Sequence, residues 1–186
     1  MSNIDRILII VDMVDGFVRE GAMADKYIEH VIPEQIKLIN NLSDMKQLIF
    51  IKDAHEENSV EFKRYPKHCI KGTGEAELVE ELRCYENNAK VFEKNSTSAI
   101  FNKNLLNYID EFINLKEVVI VGCCTDICVM NLAIPLKNYF DEINKDIDVI
   151  VVKNATETYN SEIHNRNEYN DMVYKLMKQA GIKVVE

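Results

Sequence analysis

The chain has 186 residues, 47% hydrophobic and 28% charged, with three prolines and six glycines, which excludes disordered, collagen-like and low-complexity sequence. Its 22 lysines and arginines against 31 aspartates and glutamates leave a net charge of −9, which argues against nucleic acid as a partner because phosphate binding needs a basic surface. The longest apolar runs fall far short of the roughly 20 residues of a membrane span. Five cysteines, odd in number and with no secretory pattern before them, read as reduced thiols of one cytoplasmic domain over residues 1–186.

Along the chain, Arg6–Asp12 is short, β-branched and continuously apolar, the pattern of a strand buried on both faces. Pro33–Leu42 reads as a helix, with proline in the first turn and Ile36, Ile39 and Leu42 at helical spacing. Gln47–Asp53 is a second strand. The stretch from Ala54 to Asn88 carries one helix, Glu75–Leu82, and is otherwise irregular; so long a loop is ordinarily functional. Ala89–Glu93 is a weaker strand, and Leu105, Ile109, Phe112 and Ile113 mark the next helix. Glu117–Gly122 and Asp146–Lys153 are strands, separated by a helix over Thr125–Phe140. A helix over Glu168–Ala180, stopped by Gly181, precedes a last strand at Ile182–Val185. Strands alternating with helices predict an α/β fold: a doubly wound, mostly parallel sheet of about six strands with helices on both faces and right-handed crossovers.

Ligands of such sheets bind outside the carboxyl ends of the strands. Those ends carry Asp12, Asp53, Glu93 with Lys94, and Gly122 leading into Cys123, Cys124 and Cys128. One strand-end carboxylate is an ordinary cap or turn residue; two aspartates, a lysine and a cysteine at one edge form a candidate site. Thr125 reads as a helix cap, which puts Cys128 in a first helical turn, where free amides and the macrodipole lower a thiol pKa. Cys123 and Cys124 read as small buried residues. Asp53 and His55 point the same way from an extended segment. With Glu61 and His68 they offer two imidazoles and two carboxylates, a donor set for zinc, manganese or iron. Cys69 is left out of that set because adjacent residues rarely point at one ion. His30 and His164, among polar neighbours, read as surface histidines.

Nearly the whole chain resembles the isochorismatase-like cysteine hydrolases and, within them, the nicotinamidases (pyrazinamidases). The resemblance lies in Val11-Asp12-Met13-Val14-Asp15-Gly16-Phe17, in Phe92-Glu93-Lys94-Asn95, in Gly122-Cys123-Cys124-Thr125-Asp126-Ile127-Cys128-Val129, and in Asp53-Ala54-His55 with Glu61 and Tyr65-Pro66-Lys67-His68. It implies a Rossmann-like three-layer sandwich and a catalytic triad of Asp12, Lys94 and Cys128. It also implies a cis peptide between Cys123 and Cys124, oxyanion donors in the amides of Cys124 and Cys128, and ring contacts from Phe17 and Tyr65. One divalent ion, zinc first, would sit on Asp53, His55, Glu61 and His68. The implied reaction is hydrolysis of nicotinamide to nicotinate and ammonia through a Cys128 thioester, in a dimer or tetramer. Asn95-Ser96-Thr97-Ser98 departs from the family, which often has an aromatic residue there, and Lys153-Asn154-Ala155 stands where many relatives have an aspartate. The alternatives are an amidase for another small amide or carbamoyl compound, a thiol redox or sensor protein using the cysteine cluster, and a catalytically silent ligand-binding module.

Overall fold

Alternation of side chains along a strand explains the unbroken apolar runs. In β1 (Arg6–Val11), Ile7, Ile9 and Val11 join one buried cluster while Leu8 and Ile10 join another on the opposite face. The same division runs through β2 (Leu48–Asp53) and β4 (Glu117–Cys123). The computed structural model describes residues 4–186. With β3 (Lys90–Lys94), β5 (Asp148–Glu157) and β6 (Lys183–Val185) these strands form one sheet in the order β3-β2-β1-β4-β5-β6. All its pairings are parallel, as expected of a doubly wound fold.

Among the described residues six α-helices cover it: α1 (Asp15–Val18), α2 (Ile32–Asn40), α3 (Glu80–Glu86), α4 (Lys103–Asp110), α5 (Met130–Glu142) and α6 (Arg166–Gln179). Residues of α1 to α3, such as Phe17, Ile39 and Leu82, pack on the Leu8 face; those of α4 to α6, such as Leu105, Leu132 and Val173, pack on the Ile7 face. Among the described residues no helix is long and apolar enough to cross a membrane.

Three boundaries differ from the sequence pattern. The helix expected over Glu75–Leu82 is instead a 3-10 turn at Gly74–Ala76 followed by α3. Between them the chain is extended, because Asp15 N–H donates to Glu77 O and Val79 N–H to Met13 O, each at 2.9 to 3.0 Å. The fourth helix stops at Asp110, before Phe112 and Ile113, and leaves Ile113 exposed. β5 runs past Lys153 to Glu157: its register against β4 shifts between Ile120 and Gly122, and Thr156 and Glu157 pair again with Gly122 and Cys123. The polar Lys153-Asn154 pair, which looks like a strand end, lies within this irregularity.

Candidate active site

The register aligns the strand ends. Val11 pairs with Gly122 and Asp53 with Lys94, so the residues that follow or end these strands share one edge. Lys94 Nζ lies 2.8 Å from Asp12 Oδ2, 2.6 Å from Asp53 Oδ1 and 3.6 Å from Cys128 Sγ, and all four side chains are buried. Burial alone would lower the lysine pKa, but Asp12 and Asp53 outweigh it and hold the ammonium form well above the usual range. Burial raises Asp12, Lys94 opposes it and Asp53 adds to it; the carboxyl is pushed up from 3.8 to about 6. For Asp53 the burial effect is overcome by the Lys94 ammonium beside it, which keeps it well below the usual carboxylate range.

The turn carrying Cys128 corrects the sequence reading. Residues Thr125–Val129 form a π-helical turn that runs into α5, and Cys124, with no side-chain cap bond, occupies the position preceding it. Thr125 is therefore inside the turn and does not cap it. The thiol of Cys128 is raised well above its ordinary pKa, because burial and then the carboxylates of Asp12 and Asp53 outweigh Lys94. At rest the proton belongs on sulfur. The Cys123–Cys124 peptide is cis, as the resemblance implies.

Beyond β2 the chain returns on itself: His55 N–H donates to Cys69 O and Lys71 N–H to His55 O, at 2.8 and 2.9 Å. This short parallel contact sets His68 beside His55, with their Nε2 atoms 3.1 Å apart. Asp53 Oδ2 lies 3.3 Å from the first and 3.7 Å from the second. The outer nitrogens face acceptors. His55 Nδ1 donates to Asn95 Oδ1 at 3.2 Å, an oxygen that also accepts from Glu56 N–H, and His68 Nδ1 donates to Pro66 O at 2.7 Å. Protons on both Nδ1 atoms leave two Nε2 lone pairs and a carboxylate aimed at one point, the arrangement of a metal centre with its outer hydrogen bonds in place. The three donors lie within 4.8 Å of one another. Glu61, expected as a fourth ligand, stands outside that group; its Oε1 accepts from the Thr97 hydroxyl at 2.7 Å. Asn95 and Thr97, in the segment without the family's aromatic residue, thus brace His55 and Glu61.

A cleft of about 690 Å³ opens over these groups. Phe17 and Tyr65 line it, with ring centroids 5.4 and 6.3 Å from that of His68. Ile127, Tyr159, Asn160 and Arg166 also line it and were not found from the sequence. Placing the end of β5 at Lys153 hid Tyr159 and Asn160, since the loop after a longer β5 borders the same edge, whereas Ile127 lies on the Cys128 turn itself. His164 corrects another expectation: it is buried, not a surface residue, and its Nε2 lies 2.8 Å from Asp126 Oδ2. His30 is exposed, as expected.

The isochorismatase domain family matches residues 6–186. Nicotinamidase 1 of Arabidopsis thaliana is 31% identical over 176 residues, covering 84% of this chain and 71% of its own length. A second Arabidopsis thaliana relative, named a probable inactive nicotinamidase, is 27% identical over 188 residues, covering 95% of this chain and 89% of its own. The crystal structure of nicotinamidase PncA from Bacillus subtilis superposes with a TM-score of 0.80 at 26% identity, covering 98% of this chain and all of that one. Carrying the family's domain over almost its whole length on the fold of its solved members, the chain belongs to the isochorismatase domain family.

Proposed function

We propose that this protein is a metal-assisted cysteine amidase that hydrolyses nicotinamide to nicotinate and ammonia, with Cys128 as nucleophile. One observation carries the reading: Lys94 holds Asp12, Asp53 and Cys128 together beneath a cleft lined by Asp53, Cys128 and His68, with the imidazoles of His55 and His68 directed at one point. The name of the inactive relative sharpens the question, and for this chain the assembled Asp12, Lys94 and Cys128 argue for activity.

Amides are poor electrophiles with a poor leaving group, so catalysis needs a strong nucleophile, a place for the oxyanion and a proton for nitrogen. Asp12, unprotonated and paired with Lys94, takes the Cys128 proton as sulfur attacks the carbonyl carbon. The oxyanion is received by the backbone amides of Cys124 and Cys128, a type of donor worth about 2.7 to 4 kcal/mol of barrier each. Asp12 then returns the proton to nitrogen, the C–N bond breaks, ammonia leaves and a thioester remains. Water adds to the thioester while Asp12 accepts its proton, and collapse releases the acid and restores the thiol. Lys94 keeps its charge throughout and offsets whichever of Asp12 or Cys128 is anionic.

Asp53, His55 and His68, with Glu61 at the cleft wall, would hold one divalent ion; two imidazoles with carboxylate suit zinc first, with manganese or iron next. Bound there, such an ion supplies a Lewis-acid contact for a ring nitrogen and so orients the substrate. Phe17 and Tyr65 then wall the ring. Free thiols at all five cysteines agree with a reducing, cytoplasmic setting. A homo-oligomer, dimer or tetramer, belongs to the same proposal on the strength of the resemblance.

Ammonia release from nicotinamide, pyrazinamide and benzamide, with and without chelator, tests it. The expected pattern is turnover of the two ring-nitrogen amides, little of benzamide, loss with chelator, and none from Cys128→Ala. Turnover retained by that variant would remove Cys128 from the mechanism, and preference for a carbamoyl compound would redirect the substrate assignment.

A further inference from the structure

The Cys128 turn is tied to the loop after β5 by a histidine that the mechanism above does not use. His164 lies between two tyrosines. Its ring is 3.9 Å from that of Tyr159 at 12° and 3.7 Å from that of Tyr169 at 29°. Nδ1 lies 3.0 Å from the Tyr159 carbonyl oxygen and Nε2 2.8 Å from Asp126 Oδ2, so each ring nitrogen faces an oxygen acceptor. The other oxygen of Asp126 accepts from the Thr158 hydroxyl. Asp126 stands two residues before Cys128 on the same turn, and Tyr159 lines the cleft. The histidine is itself fixed: Ser161 and His164 exchange backbone hydrogen bonds at 3.0 and 3.2 Å, and Asn165 caps α6, which carries Tyr169.

We infer that Asp126 and His164 are a positioning pair that locks the turn bearing Cys128 to the loop after β5 and holds the Tyr159 ring as a specificity wall of the cleft. An apolar ring would fill the slot between the tyrosines equally well. Only a ring with nitrogen at both ends also joins the Tyr159 carbonyl to the carboxylate beside the nucleophile. The turn cannot shift without breaking the bonds from both Thr158 and His164, so the pair fixes sulfur relative to Asp12 and Lys94 while Tyr159 fixes the ring of the substrate. The inference rests on the reading of Cys128 as nucleophile and adds residues outside the triad to it.

Four variants, checked for a native-like melting transition, test it with nicotinamide and the metal-loaded enzyme. His164→Ala should lower kcat by on the order of 10²-fold, the cost of an ångström-scale misplacement. Asp126→Asn should do the same, and the double variant should be no worse than the more damaged single one, as expected of residues acting as a unit. His164→Gln, which can donate to Asp126 but cannot stack, should recover most of kcat and keep a raised KM. The alkylation rate of Cys128 by iodoacetamide, followed by mass spectrometry, should fall about tenfold in His164→Ala, because the thiol loses register with its activating base. Additive losses, a His164→Gln variant no better than His164→Ala, or kcat and alkylation within about twofold of wild type would overturn the pair. If the wild-type protein releases no ammonia from nicotinamide, the amidase reading falls, and the alkylation comparison alone decides the positioning role.

Discussion

Lys94 sits at the centre of the site. A buried ammonium is costly unless paired, and here two carboxylates flank it at 2.6 and 2.8 Å. The two do not titrate alike. Asp53, held by Lys94 at the shorter distance, stays anionic, whereas Asp12 is pushed up to about 6 by burial. A base with that value is ionised at neutral pH yet basic enough to draw a proton from a thiol that burial holds in its neutral form. The sign follows: protonation removes the base, so activity is present above the Asp12 pKa and is lost as pH falls through it. For nicotinamide, kcat/KM should be level near pH 7 to 8 and drop about tenfold per unit well below a pH of about 6. A pH profile of initial rates measures this, and a flat profile down to pH 4.5 would show that Asp12 is not the base. The edge that gathers Asp12, Lys94 and Cys128 was legible in the sequence because the first two stand at strand ends and Cys128 follows one turn after the next strand, while their roles as a triad came from the family resemblance. The raised thiol was not, because a helix-start argument contains the macrodipole and omits the two carboxylates that surround the sulfur.

At the scale of elements, the site depends on how closely β1 and β4 approach. Gly122 has a φ of +119°, and a Cβ there would lie 2.1 Å from Val11 O. No side chain fits between the strand that ends beside Asp12 and the strand that leads into the cysteine turn. Gly122→Ala should therefore destabilise the protein by on the order of 3 kcal/mol, combining left-handed strain with overpacking. It should also cost activity beyond the loss of folded protein, since both strand ends must move. Denaturant midpoints and specific activity per folded molecule check the two parts, and a variant of wild-type stability would mean that the strands separate at little cost. The limits of sequence reading lie at this scale as well. The strands were legible from unbroken β-branched runs. The continuation of β5 was not, because polar Lys153 and Asn154 resemble a terminus, and that single boundary concealed Tyr159 and the true setting of His164. The helix expected at Glu75 failed for a related reason: Leu78 and Val79 are buried by backbone pairing with Met13 to Asp15, a long-range contact that local periodicity does not register.

At the scale of the molecule, a rigid parallel sheet presents one group from each of several strands, and an irregular excursion from residue 54 onward folds back to complete the site. The excursion is held by few regular elements. Around His55 it is held by two backbone bonds and by the pair of imidazoles whose Nε2 atoms face each other at 3.1 Å, and further on by the bonds of Glu77 and Val79 to Asp15 and Met13. Two lone pairs at that distance repel unless a cation lies between them, so the loop and an ion should stabilise one another. Binding to the folded state alone adds about 2.7 kcal/mol at a ligand concentration of 100 Kd. For a chain of this length each kcal/mol moves the melting temperature by about 2 to 4 °C. Zinc added to chelator-stripped protein should thus raise the melting temperature by about 5 to 10 °C. His68→Ala should abolish most of that shift, while Cys128→Ala, which leaves all three donors in place, should retain it. Equal shifts in wild type and His68→Ala would locate the stabilising ion elsewhere, and no shift in either would leave the facing imidazoles without a metal partner.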